Sequence, residues 1–87
     1  MKNQTARHFS ETIGTPRGSG IFYFNLMPFG IPPRYHVSVA HRSYGVVIFY
    51  MEAGEKGWEP VSEKDIPQWI MDLKEELSKA IIKHTSL

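Results

Sequence analysis

The sequence predicts an α+β fold: a three- to four-stranded antiparallel meander with one long C-terminal amphipathic helix packed on one face. Two observations carry this. The stretch Tyr44-Gly45-Val46-Val47-Ile48-Phe49-Tyr50-Met51 is rich in β-branched and aromatic residues and too short for an ordinary helix, so it reads as a strand. Its alternation puts Val46 and Ile48 on one side and Val47, Phe49 and Met51 on the other, so both sides are apolar and each needs a cover. Further on, Ile66, Trp69, Ile70, Leu73, Leu77, Ala80, Ile81 and His84 recur at helical spacing, and that stripe can cover one side.

At 87 residues with a net charge of +1, the chain is one small domain without the concentrated positive charge that drives phosphate-backbone binding. Residues 1–20 read as a partly ordered N-terminal arm and a Gly-rich loop. Phe9 and Ile13, four apart, fit a helical turn or an extended arm, and Gly14-Thr15-Pro16-Arg17-Gly18-Ser19-Gly20 collects turn-forming residues. That segment does not match a phosphate loop, because it lacks the G-x-x-x-x-G-K-[ST] pattern.

The first strand is expected near residues 21–27, with Phe22, Phe24 and Leu26 on one apolar face and Ile21, Tyr23, Asn25 and Met27 on a mixed one. The Pro-rich connection from Pro28 to Pro33 reads as a stiff loop with Phe29 and Ile31 folded back. A second strand near 34–41 turns Tyr35, Val37 and Val39 inward and His36, Ser38 and Ala40 outward. Arg42-Ser43 makes a tight hairpin into the strand near 44–52, and a further short strand at 58–61 is confined to a sheet edge by Pro60. The helix is expected over about 65–84, with Asp65 as N-cap, Gln68 completing a capping box and Pro67 in the first turn. Trp69 is the helix residue expected to bury the most area.

Catalytic and metal chemistry find no motif. No pair of the four histidines has ligand spacing, and His36 and His41, five apart on one strand, face opposite ways; they read as surface or capping groups. Glu75 and Glu76 splay apart on a helix, and no G-x-S-x-G surrounds a serine. No catalytic residue, metal ligand or cofactor is therefore assigned. The absence of cysteine, and of any apolar stretch long enough to span a bilayer, suggests a soluble, cytoplasmic protein with no membrane partner.

The expected function is a small non-enzymatic interaction module, a homodimer through the sheet face that the helix leaves uncovered. Tyr44, Val46, Ile48 and Tyr50 are its expected interface, with Arg34, His36 and Arg42 as a polar rim. The rival cover for that face is the N-terminal arm, laid across it through Phe9 and Ile13. Single-stranded nucleic acid is the alternative partner, with Tyr23, Tyr35 or Tyr44 stacking bases and Arg17, Arg34 and Arg42 holding phosphates; an unidentified protein is a further candidate partner, and a small enzyme or ligand-binding subunit is the lesser alternative function.

Overall fold

Alternation places the apolar side chains of each strand on a common side, and pairing successive strands stacks those sides into one wall. In a computed structural model of the chain, which describes residues 7–27, 33–62 and 64–85, this wall is a five-stranded antiparallel meander. Its strands are β1 (His8–Thr15), β2 (Gly18–Met27), β3 (Arg34–His41), β4 (Gly45–Gly54) and β5 (Gly57–Val61), neighbours in space in chain order. Two helices follow, α1 (Gln68–Met71) and α2 (Lys74–Thr85). The expected folding back of Phe29 and Ile31 lies outside the described residues.

The strand count corrects the expected three to four, and the added strand comes from the segment expected to be an arm and a loop. β1 runs antiparallel to β2 from His8 opposite Asn25 to Thr15 opposite Gly18. It was hidden because Glu11 interrupts the inward side between Phe9 and Ile13, and because Gly18 and Gly20 resemble loop residues. Both glycines have a physical reason to stand inside the strand pair. Gly18 closes the hairpin at φ 101°, where a side chain would be strained. A Cβ on Gly20 would lie 3.1 Å from the His41 ring and 3.3 Å from Val39, so any larger residue needs the ring or Val39 to give by a few tenths of an ångström, and glycine lets the strand pass beneath the ring without that shift.

Val37, Val39, Phe22, Phe24, Tyr35, Phe49 and Met51 form the closed face, and Ile70, Leu73, Leu77, Ala80 and Ile81 press on it from the helical layer. Phe9 stacks between Phe24, at 4.5 Å, and His84, at 4.1 Å, which ties β1 to the end of α2. Phe9 and Ile13 thus serve the helix side, and the described part of the arm pairs with β2 instead of crossing the uncovered face. Trp69 is only half-buried: it stacks on Tyr44 at 4.3 Å at the rim, and among the described residues Tyr35 is the largest fully buried side chain.

The single helix expected from residue 65 is two segments beginning at Gln68. Pro67 precedes α1 in an extended conformation with no side-chain cap, so the Asp65 capping box does not form. Gln68 instead donates to the Asp72 carboxylate at 2.9 Å, one turn on. At the break, Leu73 N–H donates to Ile70 O, a tighter turn than the α-helix makes. No described helix is long and apolar enough to cross a membrane.

Candidate interaction face

Because the helical layer covers the Val47, Phe49 and Met51 side of β4, the opposite side chains face solvent. Register assembles them into rows: Ser10, Tyr23, Ser38 and Ile48 lie across four strands, Ala40 lies beside Val46, and His8, Asn25, His36, Tyr50 and Val61 cross all five. The apolar centre is exposed to an unusual degree, with Val46 at 73%, Ile48 at 56%, Tyr23 at 51% and Ile21 at 46%. Large aliphatic side chains grouped this way on one face differ from the isolated surface leucine that needs no explanation.

Polar contacts frame this centre at both ends. Arg34 forms an ion pair with Glu52, its cross-strand neighbour, and its guanidinium lies 5.1 Å from the centre of the Tyr50 ring. His36 meets the edge of the same ring at 5.6 Å, and His8 Nδ1 hydrogen-bonds Asn25 Oδ1 at 2.8 Å. At the opposite end a shallow hollow of about 630 Å³ is bordered by Arg17, Ile21, Tyr23, Ala40 and Arg42.

Val46, Ile48, Tyr50, Arg34 and His36 therefore share the open face, with Arg42 at its end. Tyr44 does not join them. It sits in the turn before β4, where Gly45 at φ 89° breaks the alternation, and stacks on Trp69 on the helix side. Ile21 and Tyr23 belong to the face and were not assigned to it, although their alternation with Phe22 and Phe24 was the available signal. Of the three tyrosines considered for base stacking, only Tyr23 is on this face, since Tyr35 is fully buried. Arg34 is already engaged by Glu52.

Two titratable groups on the closed face, His41 and Glu11, have partners within the chain. His41, 4% exposed, accepts at Nδ1 from Ser43 N–H at 3.0 Å and Tyr44 N–H at 3.2 Å, which puts its proton on Nε2, donating to Gly18 O at 3.0 Å. It joins the β1–β2 turn to the β3–β4 turn, a structural capping role. Glu11 accepts from His84 Nε2 at 3.0 Å and lies 3.5 Å from Lys83 Nζ. The His84 hydrogen bond, opposed by partial desolvation and helped by Lys83, holds its carboxyl below the usual carboxylate range. Burial pushes the Tyr35 phenol up. Among the described residues, no three His, Asp or Glu side chains are grouped so as to hold a metal ion.

Compared with known proteins, the chain matches no family model, no curated protein and no solved structure.

Proposed function

We propose that the chain is a small non-enzymatic interaction module that forms a homodimer by packing the open faces of two copies together. The observation that carries this reading is the exposed aliphatic centre of Ile21, Val46 and Ile48 opposite a fully built core. Size supports it: strands ~4.8 Å apart, each rising ~3.3 Å per residue, give a face of roughly 600 Å². That approaches the ~800 Å² per partner of a standard interface. Two such sheets stack about 10 Å apart, and Tyr23 and Tyr50 can bury their rings while keeping their hydroxyls wet. Arg34, Glu52, His36 and Arg42 supply the polar rim. A cysteine-free chain suits a cytoplasmic location.

Light scattering on the parent, Ile48→Glu and Phe49→Glu tests the reading. The parent is expected to be at least dimeric at high micromolar concentration. Ile48→Glu should lose that association and stay folded, and Phe49→Glu should unfold. A monomeric parent, or an Ile48→Glu variant as unfolded as Phe49→Glu, would overturn it. Fluorescence anisotropy with mixed single-stranded oligonucleotides at low salt is expected to show no binding; saturable binding lost in Tyr23→Ala would favour nucleic acid as the partner of this face.

A further inference from the structure

The two edges of the sheet are treated differently. Hydrogen-bonding direction alternates along a strand, so register determines which backbone groups face outward. In β5, Trp58 and Pro60 face outward. Trp58 N–H is taken by Ser78 Oγ of α2 at 3.0 Å, and Pro60 has no N–H to offer. The stretch of β4 beyond β5, Val46 to Phe49, is flanked by Ser62 and Lys64–Pro67. This side of the sheet carries the protections natural edges use.

β1 has few of them. Leu26 N–H donates to Arg7 O at 2.7 Å, so in this register the odd residues of β1 bond to β2 and His8, Ser10, Thr12 and Gly14 turn their N–H and C=O groups outward. All four residues are exposed, and the strand contains neither lysine nor proline. Among the described residues its edge-protecting feature is the inward-pointing charge of Glu11, already matched by Lys83 and His84 of its own chain.

We propose that this edge is a second self-association surface, on which β1 of one copy pairs antiparallel with β1 of another about a two-fold axis at Glu11. The strand's own sequence supports a second copy as the occupant. Of the registers that join outward residues to outward residues, the one centred on Glu11 engages all four: His8 with Gly14 of the second copy, Ser10 with Thr12, and the reverse. It gives about eight inter-copy hydrogen bonds. The same register sets Phe9 opposite the second copy's Ile13 on the helix side and pairs serine with threonine on the other, both favourable cross-strand combinations. Its unfavourable contact is Glu11 against Glu11, and each carboxylate brings its own Lys83 and His84 to the axis. The surface is separate from the aliphatic centre of the open face, so both associations can coexist and assemble species larger than a dimer.

The chain has no cysteine, so one introduced thiol reports the axis without ambiguity. In a non-hydrogen-bonded antiparallel pair the Cα atoms are about 4.5 Å apart, within the range a disulfide spans. Under diamide, the full-length Glu11→Cys variant is expected to form a covalent dimer on the order of tenfold or more faster than Lys56→Cys, because pairing raises the local thiol concentration. Adding Thr12→Pro removes an outward N–H, leaves the β1–β2 ladder intact and should abolish the advantage while far-ultraviolet circular dichroism is retained. Adding Ile48→Glu should leave cross-linking unchanged, which separates this edge from the face. Cross-linking of Glu11→Cys no faster than that of Lys56→Cys would overturn the proposal, as would a folded Thr12→Pro variant that cross-links as before; either leaves the edge to a strand from a different protein.

Discussion

The two faces of the sheet invert the usual arrangement. The open face shows Val46, Ile48 and Ile21 to solvent, whereas the closed face encloses a histidine and half-covers a glutamate. The enclosed polar groups are tolerated because each is matched: among the described residues no buried side-chain nitrogen or oxygen lacks a hydrogen-bond partner. The exposed aliphatic groups have no such compensation within the chain. Burying a satisfied imidazole costs little, while leaving a valine or isoleucine in water forfeits about 1.5–3 kcal/mol of available burial each. Unmatched chemistry therefore lies on the outer face, where the proposed association would bury it.

The largest expected contrast comes from shortening one aliphatic side chain on each side. Leu77→Ala removes a fully buried side chain beneath α2 and should cost about 2–5 kcal/mol, through lost burial and the cavity left behind. Val46→Ala takes away a side chain that is mostly in water, and should shift the stability of the isolated subunit by less than about 0.5 kcal/mol. Urea unfolding at low protein concentration, where association does not contribute, compares the two. Equal losses would mean that Val46 is covered and that the faces do not differ as described.

A smaller effect belongs to the enclosed histidine. His41→Ala leaves Ser43 N–H and Tyr44 N–H without their side-chain partner, removes one of the two side-chain donors to Gly18 O, the other being Thr15 Oγ1, and opens space above Gly20. Since the turns lie near solvent, water can replace part of what is lost, and a cost of about 1–3 kcal/mol is expected. Amide hydrogen exchange adds the location: faster exchange at both the Thr15–Gly18 and His41–Gly45 turns would support the joining role. An unchanged β1–β2 turn would show that the imidazole serves only its own hairpin.

How much of this was legible depended on whether local patterning and tertiary placement agreed. The two-sided apolarity of β4 announced that it is interior to the sheet, and alternation in β2 and β3 assigned their faces correctly, because nothing interrupted the period. β1 was obscured by Glu11, whose inward position makes sense only once Lys83 and His84, more than 70 residues away, are brought beside it. Gly20 resembles a loop residue in the sequence, because the His41 ring that lies over it comes from a strand 21 residues on. The helix break at Asp72 and Leu73 has no glycine or proline to mark it, and its sequence gives no sign of the interruption. In the candidate face, Val46 and Ile48 could be placed by parity alone, whereas Tyr44 could not, since Gly45 resets the chain direction just after it.

The smallest expected effect is electrostatic and tests whether Glu11 belongs to the closed face as a matched charge. Its carboxyl is held below the ordinary glutamate value of 4.5, chiefly by the His84 hydrogen bond. A depressed carboxylate contributes stability that is fully present above the unfolded value and is lost as pH falls through the folded one, because the unfolded chain then binds the proton more readily. The parent should therefore lose stability on acidification below about pH 4.5 more steeply than Glu11→Gln, whose amide cannot titrate. Above that pH the parent should be modestly the more stable of the two, with the gap narrowed by added salt, since Lys83 is largely exposed. Thermal midpoints measured from pH 7 to pH 3 at low and high salt read both effects. Parallel curves for the two proteins would show that the carboxylate gains nothing from His84 in the folded state, and that β1 is joined to α2 by apolar packing, through Phe9 on the His84 ring and Ile13 in the core.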